Sequence, residues 1–153
     1  MLPFAAANAT FESKNIVSDK TQKSPCPCGR LDGKGKALSY ENCCGRYIEH
    51  WDAQPAPDAQ SLMRSRYTAF VHENAAYLQD TWHSSQRPES LEFDAATKWL
   101  GLEIKSAPPV EKDSAQVEFV ARYRVGGKAV RLHERSRFVR EAGRWYYVDG
   151  DQF

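Results

Sequence analysis

The sequence predicts an α+β protein in which a small N-terminal zinc module precedes helices packed on a curved antiparallel sheet. Three observations support this class. Four cysteines cluster near the N-terminus, apolar residues then recur at helical spacing, and from about residue 99 they alternate with polar residues as in strands. Helices followed by an antiparallel meander are typical of α+β domains. The 153 residues, 41% of them hydrophobic, suit one such domain plus a small appendage.

The cysteines are the first element to justify. All of them lie within nineteen residues, as a C-x-C pair and, fourteen residues later, an adjacent pair. Structural zinc takes four thiolates in a tetrahedron and leaves no position open for a catalytic water. We therefore expect one structural Zn²⁺, because a segment so poor in apolar residues needs a metal to fold. The expected ligands are Cys26, Cys28, Cys43 and Cys44.

Two disulfides are the alternative for these cysteines. The crossed pairing, Cys26 with Cys43 and Cys28 with Cys44, is sterically allowed, whereas a bond within either pair would be strained. Disulfides belong to oxidising compartments, and the start of the chain lacks the positively charged segment of a signal peptide. These arguments favour zinc and a cytoplasmic location. No apolar run approaches the roughly 18 residues of a membrane span, so we expect no membrane partner.

The cysteine segment contains the runs CPCG at residues 26–29 and YENCCG at residues 40–45. These runs resemble the SEC-C motif, which closes the C-terminus of the bacterial preprotein-translocation ATPase SecA. The resemblance implies one bound zinc ion and a surface for contacts with another protein. Basic residues in the same segment would favour an acidic partner surface. They are Arg30, Lys34, Lys36 and Arg46.

Composition divides the chain into four parts. Residues 1–24 are polar and aperiodic, which predicts disorder. The zinc module covers residues 25–51 and ends in a short helix around Tyr47 to Trp51. A linker with two prolines follows at residues 52–57. The α+β domain covers residues 58–153.

Two helices and a weaker third are predicted at the start of the domain. Asp58 is a candidate N-cap for the first, whose apolar residues recur at three- and four-residue spacing up to Val71. Asn74 interrupts this pattern and can cap a second helix that runs through Trp82. The third covers Ser90 to Lys98.

Four strands follow. Leu100, Leu102 and Ile104 begin the period of two. Two-residue turns at Gly126-Gly127 and Ala142-Gly143 join the later strands into hairpins. These later strands cover residues 117–125, 130–140 and 145–149.

The hairpin turns also predict which polar residues face the helices. In this register Ser136 faces Asp149, and both share an otherwise apolar face with Glu134. A buried carboxylate is costly unless it is paired, and the nearest cations expected are Arg64 and Arg66 on the first helix. We expect an ion-pair network among these residues, which either fixes the helix on the sheet or forms the floor of a ligand pocket.

Two more residues complete the candidate pocket. Tyr67 follows the arginines on the first helix, and His83 lies at the end of the second. A lone histidine at a helix end more often caps the helix, so a place at the rim of the pocket is the alternative for His83.

Several runs of the domain are similar to a known family. They are SLMRSRYTAF at 61–70, YL at 77–78, TWH at 81–83, LHE at 132–134 and GRWYYVDG at 143–150. Through these runs the domain resembles the YchJ-like family of uncharacterised bacterial proteins, and together with the SEC-C segment the resemblance covers about residues 25–150. It implies a nuclear-transport-factor-2-like (NTF2-like) cone but no established reaction, since that fold serves enzymes and inert binding modules alike.

Three functions are consistent with the sequence. We favour a non-enzymatic adaptor whose zinc module docks on a partner protein and whose cone takes a second partner or a small ligand. The first alternative is an acid–base enzyme, with Glu134 or Asp149 as base, Tyr67 or His83 as donor and an arginine of the first helix as anchor for an anionic substrate. The second is weak nucleic-acid binding through the arginine-rich segment 131–144. That reading is disfavoured because residues 49–153 hold fourteen basic against sixteen acidic side chains.

Overall fold

The computed structural model describes residues 17–153. Four helices and a four-stranded antiparallel sheet make up this part of the chain, with strand order β1-β2-β3-β4. The α+β class predicted from the sequence is therefore confirmed. No helix among residues 17–153 is long and apolar enough to cross a membrane. The elements are α1 (Asp19–Lys23), α2 (Gly45–Ile48), α3 (Ala59–Val71), α4 (Ala75–Asp80), β1 (Thr97–Ser106), β2 (Ser114–Val125), β3 (Lys128–Glu141) and β4 (Arg144–Gln152).

Helices α3 and α4 begin at the predicted caps. The Asp58 carboxylate accepts a hydrogen bond from the N–H of Ser61 at 2.7 Å. The Asn74 side chain accepts one from the N–H of Tyr77 at 3.0 Å. Each bond satisfies a backbone donor that the first turn of a helix leaves without a partner.

The helix predicted over Ser90 to Lys98 is wrong. Residues 84–96 form turns and irregular backbone, and Thr97 already begins β1. Asp94 explains the difference, because its side chain and its carbonyl accept hydrogen bonds from the N–H groups of Ala96 and Thr97 at 2.8 and 2.9 Å. These bonds stabilise a tight turn that leads into the strand.

The disorder predicted for residues 1–24 does not hold at the end of that segment. Its first sixteen residues lie outside the described part of the chain. Helix α1 is capped by Ser18, whose hydroxyl accepts a hydrogen bond from the N–H of Thr21. The carbonyl of Ser24 accepts a hydrogen bond from the N–H of Tyr40 at 2.8 Å. The segment is therefore tied to the cysteine module that follows it.

The β2–β3 hairpin has the predicted register. The ladder runs from Val125 opposite Lys128 to Val117 opposite Ser136. The Gly126-Gly127 turn sets this alignment, because both glycines adopt positive φ angles. Glu134 and Ser136 consequently lie on the face that packs against α3.

A bulge in β4 changes the predicted register of the last hairpin. Phe138 faces Tyr147 as expected, but Arg137 then pairs with Asp149, and Ser136 with Gly150. The extra residue in β4 reverses the alternation of side chains beyond it. The prediction that Asp149 shares the buried face is therefore wrong. On the outer face, its carboxylate accepts a hydrogen bond from Arg137 Nε at 2.6 Å.

A second irregularity affects β1. Trp99 pairs with Tyr123 and Gly101 with Arg122, so Leu100 is the extra residue and is 45% exposed. Trp99 therefore takes the inward position that the alternation had given to Leu100. This shift brings a large aromatic ring to the inner face of the sheet.

Helix α3 lies between the cysteine module and the sheet. It contacts α2 on one side and β1, β2 and β4 on the other. Leu62, Ser65, Thr68 and Ala69 have no exposed surface. The buried apolar side chains form one continuous cluster that includes all four cysteines and the inner face of the sheet. The module therefore shares its core with the domain.

Removal of the α3 cap tests the importance of this helix. We expect Asp58→Ala to lower the free energy of unfolding by about 1 kcal/mol, because a backbone donor of the first turn loses its partner. Chemical denaturation monitored by circular dichroism measures the change. Ser90→Ala is the matched control and should leave stability unchanged, since no helix begins there. Equal effects of the two substitutions would contradict this account.

Candidate metal centre and cone cavity

The four cysteines predicted as ligands converge on one point. Their sulfur atoms all lie within 4.8 Å of one another, all four residues are buried, and all four thiols are free. The Cys28 and Cys43 sulfurs are 3.6 Å apart. Four thiolates around a metal at about 2.3 Å in a tetrahedron lie roughly 3.8 Å apart. The donor set and its spacing therefore fit a single metal ion with four thiolate ligands.

A small hairpin and a helix start bring these cysteines together. Isolated bridges pair Pro25 with Ser39 and Leu31 with Ala37, which places Cys26 and Cys28 on one arm of the hairpin. Gly29 turns the chain behind them with a φ of 76°. The second pair of cysteines stands at the beginning of α2. Each pair is thus held by hydrogen-bonded backbone.

The sulfur atoms also influence one another's ionisation. Hydrogen bonds from the thiols of Cys28, Cys43 and Cys44 lower the pKa of Cys26 well below its ordinary value. Hydrogen bonds with the side chain of Cys26, and then with that of Cys28, raise the pKa of Cys43 and Cys44. Close sulfur atoms resist carrying several negative charges at once, so a divalent cation among them is the natural compensation.

Arg64 joins the cysteine module to α3. Its Nη1 donates to the Cys28 carbonyl at 3.0 Å, and its Nε donates to Gln60. Cys26 approaches the same helix, with its sulfur 3.7 Å from the Thr68 hydroxyl oxygen. Arg64 therefore takes no part in the ion-pair network that was predicted on the sheet side, because its side chain points to the module.

Further contacts surround this junction. Arg30 Nη1 donates to the Ser61 hydroxyl at 3.0 Å. The rings of Tyr40 and His72 meet edge to face, with centroids 5.2 Å apart. Arg144, at the start of β4, donates to the Trp51 carbonyl at 2.7 Å. The module is consequently fixed to both α3 and the sheet.

A cavity of about 390 Å³ lies between α3 and the inner face of the sheet. One of its walls is aromatic. The ring of Trp99 has its centroid 5.5 Å from that of Tyr67, 5.9 Å from that of Phe70 and 5.0 Å from that of Tyr123. Phe93 extends the wall from the loop before β1, 6.3 Å from Phe70. These large side chains hold the cone open because each packs on its neighbours.

Arg66 forms part of the floor of this cavity. It is only 3% exposed, and its Nη1 donates to the Leu78 carbonyl and the Thr81 hydroxyl, both at 2.7 Å. Its guanidinium carbon lies 4.9 Å from the ring centre of Trp82 and 4.5 Å from that of Tyr147. Burial lowers the pKa of Arg66 to about 10, so the group keeps its charge at neutral pH.

Glu134 and Ser136 lie on the same floor. The Ser136 hydroxyl donates to the Glu134 carboxylate at 2.7 Å. Gly150 makes room for this carboxylate, since a β-carbon there would come within 2.7 Å of the Glu134 side chain. Glu134 acts on Arg66 as a nearby opposite charge. Arg66 and Glu134 do not form an ion pair within residues 17–153. The ion-pair network expected from the sequence is therefore not formed.

The residues predicted for the pocket thus separate into two groups. Arg66, Tyr67, Glu134 and Ser136 line the cavity. Arg64 and Asp149 lie elsewhere for the reasons given above, and so does His83. His83 Nε2 lies 2.8 Å from the Glu141 carboxylate and Nδ1 lies 2.7 Å from the Ser85 hydroxyl, beside the β3–β4 turn.

Several cavity residues escaped the sequence prediction. Trp99 was missed because the bulge at Leu100 reverses its face, and Phe93 because it lies in a loop that was assigned to a helix. The carboxylates of Glu73, Glu92 and Asp94 border the cavity from loops that have no periodic pattern. Of the aromatic wall, only Tyr67 was among the residues predicted for the pocket.

Two phenols in the cavity remain protonated over the physiological range. Burial raises the pKa of Tyr67 to about 12. It also raises that of Tyr147 to about 12, with Glu134 adding to the shift. Both hydroxyls can therefore donate hydrogen bonds but are weak acids at neutral pH.

Comparisons with known proteins agree with this architecture. Residues 58–150 match the family model described as YchJ, middle NTF2-like domain. A UPF0225 protein of Polaromonas sp. (strain JS666) is 62% identical over 127 residues, which are 82% of this chain and 91% of the relative. A UPF0225 protein of Bordetella pertussis is 53% identical over 135 residues, 86% of this chain and 97% of the relative.

Two solved structures are similar over most of the chain. The solution structure of a SEC-C motif containing protein from Rhodopseudomonas palustris has a TM-score of 0.70 at 30% identity and covers 84% of this chain and 98% of its own. The crystal structure of a SEC-C motif containing protein from Psychrobacter arcticus has a TM-score of 0.71 at 32% identity, with coverages of 85% and 83%.

Metal removal tests the shared core of module and domain. We expect a chelator to lower the melting temperature of the whole chain, because the cysteine cluster packs directly on α3. Near-ultraviolet circular dichroism reports the loss of packing around the tryptophans. Cys26→Ser without chelator should melt like the chelated wild type and should not respond further to chelation. A domain that melts at an unchanged temperature after metal loss would contradict the prediction.

Proposed function

This chain belongs to the family of YchJ proteins with a middle NTF2-like domain, and we propose that it is a non-enzymatic binding protein. In this proposal the cone holds a small ligand, and the cysteine module carries one structural zinc ion and contacts a partner protein. The observation that carries the proposal is the open cavity of about 390 Å³ with aromatic walls and a buried guanidinium at its floor. Its size lies in the range of roughly 300–1,000 Å³ that is usual for small-molecule sites.

The side chains of the cavity support binding better than catalysis. General acid–base chemistry needs a donor and an acceptor that titrate near the working pH. Among the described residues that line the cavity there is no histidine, cysteine or lysine. Tyr67 is too weak an acid, and His83 and Asp149 lie outside. For an enzyme, the cavity would therefore offer carboxylates as bases but no side chain suited to act as the acid that complements them.

Zinc is the metal that the cysteine module would best accommodate. Four thiolates form a soft donor set, and tetrahedral coordination by four sulfurs is the usual structural zinc site. The two similar solved structures are themselves described as SEC-C motif containing proteins. With all four positions occupied, the ion would stabilise the module and would not activate water. Free thiols also favour a reducing compartment, so we place the protein in the cytoplasm.

The partner surface proposed for the module is the loop at residues 31–37. Every residue of this loop is exposed, and Leu31 is 57% exposed. Lys34 and Lys36 supply its positive charge. By contrast, Arg30 donates to Ser61, and Arg46 donates to the Cys43 carbonyl, so these two side chains are engaged within the fold. An exposed leucine and two lysines in one loop suit a partner with an acidic, partly apolar face.

Nucleic-acid binding receives less support. Three arginines of the arginine-rich segment form ion pairs with carboxylates of the protein itself. Arg135 pairs with Glu118, Arg137 with Asp149 and Asp151, and Arg140 with Asp113. A surface whose cations are paired in this way releases few counterions from a phosphate backbone.

Filling the cavity tests the ligand-binding part of the proposal. Ala121 is 2% exposed and lines the cavity, so we expect Ala121→Phe to occupy the space of the ligand. Native mass spectrometry of freshly purified protein should show a bound small molecule in the wild type and none in the variant. Ala129→Phe, on an exposed position of β3, is the control and should keep the molecule. Equal occupancy in all three proteins would refute binding in the cone.

Charge reversal tests the partner surface. We expect Lys34→Glu with Lys36→Glu to abolish capture of an acidic protein partner from lysate, because the loop would then repel it. Affinity purification with quantitative mass spectrometry measures the loss. Lys20→Glu with Lys23→Glu in α1 makes the same change of charge nearby and should have little effect. Retention of every partner by the loop variant would disprove the assignment.

A further inference from the structure

The charges around the cone point to the kind of ligand it accepts, an inference that rests on the proposed binding function. Among the described lining residues there are four carboxylates and a single guanidinium. Glu134 lies on the floor, where it acts on Arg66 as an opposite charge. The other three carboxylates, those of Glu73, Glu92 and Asp94, belong to exposed residues that border the opening.

The carboxylates at the mouth have no cationic partner in the part of the chain that the structure covers. None of the three takes part in an ion pair with a lysine, arginine or histidine of residues 17–153. Asp94 accepts a hydrogen bond from the N–H of Ala96 at 2.8 Å, which shapes the loop but brings no positive charge. A cleft lined by one sign of charge concentrates ligands of the opposite sign.

The aromatic wall favours the same sign of charge. Phe70, Phe93, Trp99 and Tyr123 are each partly exposed and line the cavity. The faces of aromatic rings attract cations, and groups of such rings bind quaternary ammonium ions. Three rings around Trp99 have centroids within 5.9 Å of its own. The wall thus brings several partly exposed aromatic rings to one side of the cavity.

The guanidinium at the floor does not reverse this preference. Trp82 and Tyr147 cover it, and its Nη1 is occupied by Leu78 and Thr81. No buried side-chain nitrogen or oxygen among the described residues lacks a hydrogen-bond partner. The remaining Arg66 nitrogens make no hydrogen bond to a described residue, so they must reach the cavity space. With Glu134 near them, they form a neutral donor and acceptor set that suits a hydroxyl or amide.

We infer that the cone selects a small organic cation, a quaternary or alkylated ammonium with a short polar end. The cationic head lies against the aromatic wall near the carboxylates of the mouth. The polar end reaches Arg66 and Glu134. An anionic ligand, which Arg66 alone would suggest, meets three negative charges at the entrance.

Three probes of one shape test this inference on the full chain with its metal bound. Choline carries the cation, 3,3-dimethylbutan-1-ol replaces its nitrogen by carbon, and 3,3-dimethylbutanoate carries a negative charge. Calorimetric titration and tryptophan fluorescence measure their binding. We expect choline to bind at least about fivefold more tightly than the neutral alcohol, and the anion to bind most weakly.

Variants of the mouth assign the preference to its carboxylates. Glu92→Gln with Asp94→Asn should weaken choline about three- to tenfold and leave the alcohol unchanged. Glu89→Gln, an exposed position in the same loop that does not line the cavity, is the control and should change neither. A loss of choline binding in Glu89→Gln as large as in the double variant would overturn the role of the mouth.

The outcomes separate this inference from the function on which it rests. If the alcohol or the anion binds as tightly as choline, and Ala121→Phe abolishes that binding, the selection of cations is wrong and ligand binding stands. If none of the three probes binds the wild type, the selection of cations is also wrong. The co-purification experiment with Ala121→Phe then decides the function by itself.

Discussion

The burial of α3 on two opposite sides is the constraint on which the rest of the structure depends. One side of this helix packs on the cysteine module, where Arg64 and Thr68 contact Cys28 and Cys26. Another side faces the sheet, where Tyr67 and Phe70 form part of the cavity wall. A helix held in this way cannot shift toward one neighbour without losing contacts with the other. The cysteine cluster and the cone therefore pack on the same helix although they have no residue in common.

The position of α3 would give a metal ion in the cysteine module a second effect. A four-thiolate metal site is usually explained as a substitute for a core that a short segment cannot build. Here the buried cysteines belong to the same apolar cluster as α3 and the inner face of the sheet. The metal would therefore support the position of α3, and through it the shape of the cone, as well as the loop at residues 31–37.

The position of each charged side chain in the cone agrees with the partners that the side chain has. The one guanidinium among its described lining residues is deep, and it is stabilised by two aromatic rings and two oxygen acceptors, as a buried charge requires. The carboxylates that lack such partners lie at the entrance, where water solvates them. A cavity with a guanidinium and a carboxylate at its floor, an aromatic wall and a negative rim is suited to recognition more than to proton transfer.

The sequence alone determined most of the elements and much of the register. The spacing of four cysteines, the caps Asp58 and Asn74 and the Gly126-Gly127 turn each act within a few residues, so their consequences could be predicted locally. Only the tertiary structure decided which side chains meet in the cone. The bulges in β1 and β4 moved Trp99 inward and Asp149 outward, and the module drew Arg64 away from the sheet. A single extra residue reverses every later side chain of a strand, and such insertions depend on packing between distant segments, which periodicity does not record.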